Sequence, residues 1–200
     1  MRIFLATGNP GKVKEFRRIF KKHRIRIVVA PASVQRGLHE TGKTFDQNAR
    51  IKACHIHQHT GGWVLADDSG IEIEALRGAP GIRSARYAGK GAGSRELCEK
   101  ILRMVRRSKS KKRGARFVCA LALSDPKGHV RIFQGICRGR ITREMRGARG
   151  FGYDPIFMPC DYGKTFAELP AAIKNRVSHR GLAARKLAKY LAANRDKLMN

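Results

Sequence analysis

The sequence predicts an α/β fold, and three observations support that prediction. The 200 residues, 42% of them hydrophobic and 29% charged, suit one globular domain over 1–200. Short apolar runs typical of strands alternate along the chain with stretches that repeat apolar residues at helical spacing. No internal repeat or domain linker interrupts this alternation. Interleaved strands and helices therefore build one α/β domain.

Each element follows from its local pattern. The apolar or alternating runs predict strands over 2–6, 25–30, 63–66, 71–74, 115–124 and 129–142, the last interrupted at Gly135 and Gly139. Helical spacing of apolar residues predicts helices over 13–20, 44–58, 94–107 and 180–193. Ser94 and Ser178 are the expected N-caps of the last two helices. The run 115–124 is apolar on both faces, which is typical of a central strand.

Composition excludes several classes of protein. The longest apolar run, 117–123, has seven residues and is too short to span a bilayer. The first residues turn polar after four apolar positions, which argues against a secretory signal. Five cysteines without a CxxC pair support neither a disulfide framework nor a zinc ribbon. We expect a soluble, reduced, cytoplasmic protein with no membrane partner.

The charge balance is unusual. Lys and Arg number 43 against 15 acidic residues, a formal net charge of +28. Such a field attracts polyanions, so non-specific association with nucleic acid is one interpretation. A solubilising surface or an adaptation to unusual cytoplasmic salt is the alternative. The densest basic stretch, 106–113, is most simply a solvated loop.

A strand–loop–helix segment at 3–20 offers a site for phosphate. Two glycines and a proline make a tight turn within 7–12, and the following helix presents N–H donors and a partial positive charge. Lys12 and Lys14 add formal charge. The spacing is not that of a Walker A loop, and an ordinary strand-to-helix turn is the alternative.

The run Asp67-Asp68-Ser69-Gly70 follows a predicted strand and reads as an acidic turn at the strand's end. Ligands of open α/β sheets sit beyond such strand ends. Adjacent carboxylates repel unless a positive group lies beside them, and Mg²⁺ is the hard cation that carboxylates and substrate phosphates share. A carboxylate near that ion could also deprotonate a water. A plain turn rich in Asp, Ser and Gly is the alternative.

Two further segments combine polar or aromatic groups with special backbone. In 150–155 small residues flank Phe151 and Tyr153, and a purine stacks well on such a ring; a glycine-rich bend with core aromatics is the alternative. The run 174–180 gathers cations, a hydroxyl and an imidazole at a predicted helix start, where cations oppose the helix dipole. An anionic or oxo-bearing ligand would offset that cost. A capped basic helix start is the alternative there.

Two other features do not support a metal or catalytic role. His55 and His59 lie four apart on a predicted helix, but the Glu of HExxH and a third zinc ligand are missing, so we interpret them as surface histidines. Cys119 lies within an apolar strand and is expected to be a core residue.

Taken together, these segments resemble the inosine triphosphate pyrophosphatase family, hydrolases of non-standard purine nucleoside triphosphates. The matching text runs in order along nearly the whole chain: 6–12, 40–42, 44–45, 48–49, 66–70, 78–81, 84–89, 150–157, 164–169, 174–175 and 178–181. Each match is weak alone, but the set is highly specific. The resemblance implies an elongated mixed β-sheet with flanking helices, two lobes around a central nucleotide-binding cleft, and a homodimer.

The resemblance also implies a role for each matching position. Mg²⁺, for which Mn²⁺ could substitute, would bind Glu40 and Asp68 with Asp67 close by. Asp68 would also be the general base, and Lys52 would neutralise phosphate charge. The other implied substrate contacts are Thr7, Gly8, Asn9, Pro10, Gly11 and Lys12 for the triphosphate, Ser69, Phe151 stacked on the base, Gly152, Tyr153 and Asp154 around it, and Lys174, Ser178, His179 and Arg180 for the purine edge.

The implied reaction is attack of water on the α-phosphorus of ITP, dITP or XTP, which releases pyrophosphate and leaves the monophosphate. Such hydrolysis would exclude these nucleotides from nucleic acids. A guanidinium only donates hydrogen bonds, so Arg180 would satisfy a 6-oxo group, whereas adenine would place a donor against a donor. Mismatches of that kind support discrimination of about 10⁴-fold. Rejection of GTP would need a further contact that recognises the 2-position of the purine.

Two other functions remain open at this point. A nucleic-acid-binding protein on an inactive enzyme scaffold would explain the net charge, although the basic residues are not interleaved with stacking aromatics in the sequence. A hydrolase of other modified nucleotides, such as methylated pyrimidine triphosphates, would share the chemistry and differ in the pocket.

Overall fold

A computed structural model describes residues 1–21, 23, 25–110 and 112–194. Six strands are present among them: β1 (Arg2–Ala6), β2 (Arg26–Val29), β3 (Val64–Ile73), β4 (Gly114–Ser124), β5 (Val130–Ile141) and β6 (Phe157–Pro159). The α-helices are α1 (Pro10–Lys21), α2 (Ala32–Gln35), α3 (Phe45–Thr60), α4 (Ser94–Arg107), α5 (Ala171–Val177) and α6 (His179–Ala193). This interleaving confirms the predicted α/β class.

The strands form one mixed sheet in the order β2-β1-β3-β4-β5-β6. Strand β1 pairs in parallel with both β2 and β3. At the other edge, β5 pairs antiparallel with β6. Parallel pairs at one end follow from the helical crossovers between those strands.

The chain divides into two compact units. The first contains 1–68, 119–135 and 179–200, and the second contains 69–118 and 136–178. The core of the first unit packs α1 and α6 side chains, such as Phe16, Phe20 and Leu187, against apolar strand residues. The core of the second unit includes Ile101 of α4 and the rings of Phe157 and Phe166. Strands β3, β4 and β5 each pass from one unit to the other.

Two strands run without a break where the sequence predicts an interruption. Strand β3 runs without interruption through 67–70, where an acidic turn is predicted. Strand β5 likewise continues through its glycines. Those glycines make room for neighbours instead of ending strands: a Cβ on Gly70 would lie 2.4 Å from Ser84 Oγ, and one on Gly135 would lie 2.1 Å from the carbonyl oxygen of His179. Pairing with neighbouring strands overrides their turn propensity.

The helix starts also differ from prediction. Helix α1 begins at Pro10, because Asn9 caps it: Asn9 Oδ1 accepts the amide of Lys12 at 3.1 Å. The N-cap of α4 is Gly93 rather than Ser94, and Glu96 closes a capping box on its amide. Ser178 ends α5, and α6 starts at the next residue. Three short elements, α2, α5 and β6, are not among those that the sequence predicts.

The structure also bears on the basic run and on the membrane prediction. Arg106, Arg107, Lys109 and Lys112 are exposed, as expected of a solvated segment, whereas Lys111 lies outside the described residues. Arg113 is half-buried, and its Nε donates to the carbonyl of Ile141 at 2.7 Å. Within the described part of the chain, no helix is both long and apolar enough to cross a bilayer.

Candidate active site

The predicted phosphate loop is an ordered turn between β1 and α1. Thr7 is buried, and its Oγ1 accepts the amide of Asn9 at 3.2 Å. Asn9 then caps α1 through the amide of Lys12. Gly8, Asn9 and Pro10 are exposed, while Gly11 and Lys12 are half-buried. The turn therefore presents its backbone to solvent at the positive end of a helix, as an anion site requires.

The two adjacent aspartates of β3 serve different groups of charges. Successive side chains of a strand point to opposite faces of the sheet. Asp67 contacts Lys12 of α1, whereas Asp68 contacts Lys52 of α3. Because 67–70 is strand and not turn, the two carboxylates have different cationic partners.

The first group surrounds Asp67, and its members are buried apart from Lys12, which is half-buried. Asp67 Oδ2 lies 2.7 Å from Lys12 Nζ and 3.3 Å from Arg180 Nε, and Arg180 Nη1 lies 3.1 Å from Glu15 Oε2. The Cys119 thiol donates to Asp67 Oδ1 at 3.1 Å. Burial by itself raises the pKa of Asp67, but the charges of Lys12 and Arg180 outweigh it and hold the pKa well below its ordinary value.

The second group surrounds the ammonium of Lys52, which is 6% exposed. Lys52 Nζ lies 2.8 Å from Asp68 Oδ1 and 3.1 Å from Glu40 Oε1, and it donates to the Asp67 carbonyl at 3.1 Å. Burial opposes the charge of Lys52, but Asp68 and Glu40 outweigh burial and raise its pKa. The pKa of Asp68 is raised by burial, with Glu40 adding to the effect and Lys52 opposing it.

This second group fits a divalent cation. It holds two carboxylates against one ammonium, and Asp68 Oδ2 is buried without a hydrogen-bond partner in the described structure. Among the described residues no three His, Cys, Asp or Glu side chains converge as a metal site. Two carboxylates completed by substrate phosphates and water are the usual protein environment of Mg²⁺.

Asp67, which is expected close to this metal site, has several protein partners of its own. Its carboxylate is already engaged by Lys12, Arg180 and Cys119. Asp67 lies on the other face of the strand from Asp68 and orients the cations around it.

Asn48 holds the loop that carries Glu40, a role the sequence analysis did not identify. Asn48 is 1% exposed on α3, one turn before Lys52, and its Oδ1 accepts the amide of Gly42 at 2.8 Å. A Cβ on Gly42 would lie 2.6 Å from that oxygen. Gly42, Thr44 and Asn48 all lie in segments that resemble the family, and this was the sequence signal that could have revealed the role of Asn48. Glu15 was missed because an acidic residue on a basic helix looks like a surface position.

The second unit contains the predicted base-binding aromatic. The ring of Phe151 is half-buried, and the Lys174 ammonium lies 5.0 Å from its centroid. Asp154 accepts the Phe151 amide at 2.8 Å and pairs with Lys174. Gly150 has φ of +82°, and a Cβ there would collide with Asp154 Oδ2. Three of the predicted residues thus form one rigid arrangement around a ring.

The neighbours of Phe151 support its position. Gly152 donates its amide to Ser94 Oγ at 2.7 Å, and the hydroxyl of Tyr153 donates to the Ser84 carbonyl at 2.7 Å. Both contacts fix the loop, so the structure gives Gly152 and Tyr153 a supporting role. Ser69, half-buried, and Ser178 belong to this second unit, whereas His179 and Arg180 belong to the first.

Arg180 is expected at the purine edge, a role that stays a prediction, and its described ion pairs are with acidic residues of the first unit. Its guanidinium is 5% exposed and lies between Asp67 and Glu15, in the group that also contains Lys12 of the phosphate loop. Sequence proximity to Lys174 suggested a shared pocket, but α5 ends before Arg180 and α6 carries it into the first unit.

The rejected histidine pair has ordinary contacts. His55 Nε2 lies 2.9 Å from the Val34 carbonyl, and His59 Nδ1 lies 2.9 Å from the His55 carbonyl. Cys119 is buried in β4 as expected, although its thiol also reaches Asp67.

A mixed α/β sheet with a capped anion loop and a carboxylate–lysine group defines a class of phosphate-handling enzymes, and comparison with known proteins identifies the family. The model of the Ham1 family matches residues 3–190. The chain is 41% identical to the dITP/XTP pyrophosphatase of Christiangramia forsetii over 96% of this chain and all of that one. It is 43% identical to the dITP/XTP pyrophosphatase of Bacillus subtilis over 94% and 96% of the two chains.

Solved structures agree. The structure of a HAM1 protein from Coxiella burnetii superposes with a TM-score of 0.86 at 39% identity, over 96% of this chain and 99% of that one. The Staphylococcus aureus Ham1 protein gives a TM-score of 0.84 at 35% identity, over 97% and 100%. This chain belongs to the Ham1 family.

Proposed function

We propose that this protein is a nucleoside triphosphate pyrophosphohydrolase that converts dITP, ITP and XTP to the monophosphate and pyrophosphate. The observation that carries the proposal is the group of Glu40 with the buried Lys52 and Asp68, in which Asp68 Oδ2 has no hydrogen-bond partner among the described residues. The relatives named dITP/XTP pyrophosphatase support the substrate class.

We infer a Mg²⁺ ion on Glu40 and Asp68, with Mn²⁺ as a possible substitute. When bound, the ion would supply positive charge to the phosphate oxygens of the substrate. Lys52 would share that task, since its raised pKa keeps the ammonium charged at neutral pH. The turn 7–12 would hold the remaining phosphates through its exposed backbone and Lys12.

Asp68 is the residue we assign as general base. Its carboxylate is buried beside Lys52, and Asp68 Oδ2 has no protein hydrogen-bond donor among the described residues, so a water there can donate to it. It would accept a proton from the water that attacks the α-phosphorus. Pyrophosphate then leaves with its charge held by Lys52 and Lys12.

Base selection would come from Phe151 and Lys174. The half-buried ring offers a stacking surface, and the ammonium beside it is a donor that suits a 6-oxo group and opposes a 6-amino group. Lys174 would therefore recognise the 6-oxo group, a role that the sequence predicts for Arg180. Ser178 and His179 remain predicted contacts of the purine.

A substrate panel tests this function. With Mg²⁺ present, we expect kcat/KM for dITP, ITP and XTP to exceed that for ATP by about 10⁴-fold, measured by pyrophosphate release. GTP and dUTP complete the panel. Preference for a modified pyrimidine triphosphate would favour the alternative hydrolase, and hydrolysis of none of them would refute the proposal.

Lys174→Met should reduce the preference for dITP over dATP by at least about tenfold. Removing the donor removes the penalty on a 6-amino group while Phe151 keeps stacking both bases. The ratio of the two kcat/KM values measures this, and thermal melting checks that Asp154 is tolerated without its partner. Lys164→Met, on an exposed lysine, is the matched control. An unchanged ratio in a folded Lys174→Met variant would assign base selection elsewhere.

Asn48→Ala should weaken divalent-metal binding by roughly tenfold while Asp68 and Lys52 stay in place. The variant loses the bond that fixes Gly42 and hence the Glu40 loop, and supporting residues of metal ligands commonly contribute 10–100-fold in affinity. Titration with Mn²⁺ monitored by electron paramagnetic resonance measures the affinity without turnover. Gln58→Ala, exposed on the same helix, is the control; equal affinities would show that the loop is held by other contacts.

We also propose a cytoplasmic homodimer. All five cysteines are free, which suits a reducing compartment. The dimer is proposed by analogy with the family that the sequence resembles, and sedimentation analysis tests it.

A further inference from the structure

A cavity in the first unit contains none of the residues used above. Its volume is about 470 Å³. Aromatic and charged side chains line it together with a few aliphatic ones, and we call it the Trp63 cavity after the only tryptophan of the chain. The side chains that matter are Arg50, Trp63, Asp125, His129, Arg131 and Tyr190.

A stacked arrangement orders one wall of the Trp63 cavity. The guanidinium carbon of Arg131 lies 4.6 Å from the ring centroid of Tyr190, and the ring of Phe133 lies 5.4 Å from that ring. Arg131 is exposed, whereas Phe133 is buried in the core. The Tyr190 ring thus supports one face of the Arg131 guanidinium. A planar guanidinium stacks well on a nucleobase.

The cavity is positively charged. Its described lining contains two arginines, Arg50 and Arg131, and one carboxylate, that of Asp125. That carboxylate is turned toward the protein: its Oδ1 accepts the amides of Lys127 and His129, both at 2.9 Å, and Oδ2 lies 3.1 Å from the His129 ring. The net charge of +28 adds a field of the same sign. An occupant should therefore be an anion.

Aromatic and basic side chains in one cavity favour an anion that also has flat rings. Sequence alone placed the basic residues apart from aromatics, but folding brings positions 63, 131 and 190 to one cavity. Stacking surfaces within a positive groove are the usual means of binding single strands without sequence preference. We propose that the Trp63 cavity binds single-stranded nucleic acid, with one base against Trp63 and the Arg131–Tyr190 pair and the neighbouring phosphates near Arg50.

This proposal is independent of the pyrophosphohydrolase function. It gives the excess positive charge a physical use that the hydrolysis of free nucleotides does not require. The half-buried Trp63 also makes the cavity directly observable, since its fluorescence reports contact with a stacked base.

The test uses the full-length protein and a 12-nucleotide oligothymidylate. We expect the oligonucleotide to quench Trp63 fluorescence, with an affinity that falls steeply as salt rises. Inorganic polyphosphate of similar length should bind without quenching, because it has no bases. Thymidine monophosphate should bind at least about 100-fold more weakly than the 12-mer, and dITP should not displace the 12-mer.

Variants locate the binding. In fluorescence anisotropy with labelled 12-mer, Arg131→Gln and Trp63→Leu should each weaken binding by roughly 5- to 150-fold, the range that stacking contributes per base. Arg50→Gln should lower the salt slope by about 0.7. Arg103→Gln, an equally exposed arginine on α4, is the matched control. Hydrolysis of dITP should not change in any of these variants.

Several results would overturn the proposal. They are the absence of quenching by the 12-mer, equal quenching by polyphosphate, displacement of the 12-mer by dITP, or equal affinities of the Arg131→Gln and Arg103→Gln variants. Displacement would place the strand in the active site, and equal affinities would assign binding to diffuse surface charge.

Discussion

Replacing Asp68 by asparagine is expected to lower kcat for dITP by at least about 10³-fold. The variant loses the carboxylate that we assign both to the metal and to the proton of the attacking water, and a positioned general base alone contributes 10²–10⁴-fold. Release of pyrophosphate under saturating dITP and Mg²⁺ measures the effect. Lys52 keeps its contact with Glu40, so the ammonium stays in place.

The fold of Asp68→Asn should survive, for an electrostatic reason. An aspartate whose pKa is raised on folding makes the folded state less stable once the pH exceeds both pKa values. A neutral side chain of the same shape removes that penalty but also removes one of the two ion pairs of Lys52, so the melting temperature should change little. Asp161→Asn, at an exposed aspartate, is the control for activity. Full activity in Asp68→Asn would exclude Asp68 as the base.

Arg180→Met is expected to reduce the free energy of unfolding by about 3–5 kcal/mol at neutral pH. Removal of one member of a buried ionic group has this cost, because the remaining carboxylates lose their compensating charge. Here the guanidinium lies between Asp67 and Glu15, both of them buried. Urea denaturation measures the difference, and Lys186→Met, exposed on the same helix, should cost less than about 0.5 kcal/mol.

The pH dependence separates this ionic role from simple packing. The folded pKa of Asp67 lies well below its unfolded value of about 3.9. Its ionic contribution is therefore fully present above that unfolded pKa and is lost as the pH falls toward the folded one. The difference in free energy of unfolding between wild type and Arg180→Met should become smaller below about pH 4. A loss of unfolding free energy that does not depend on pH would mean that Arg180 stabilises the fold through packing alone.

Sequence patterns predicted most of the elements that carry the site. The apolar strand before Thr7, the helix that contains Lys52 and the buried strand with Cys119 all lie where periodicity puts them. The local signal failed at 67–70, because Asp, Ser and Gly favour a turn when isolated but remain extended here inside β3, a strand that lies between β1 and β4 in the sheet. The same local signal placed Asp67 beside Asp68 near one ion, and that placement stays a prediction.

The sequence by itself determined the α/β class, the phosphate loop, the candidate ligands Glu40 and Asp68 and the aromatic Phe151. Only the tertiary structure decided the partners of each charge: Asp67 with Lys12 and Arg180, and Lys52 with Glu40 and Asp68. The reason is that the chain fixes the chemistry of a side chain, whereas its partners come from segments up to 165 positions away. Those segments meet only after strand pairing sets the face on which each residue lies.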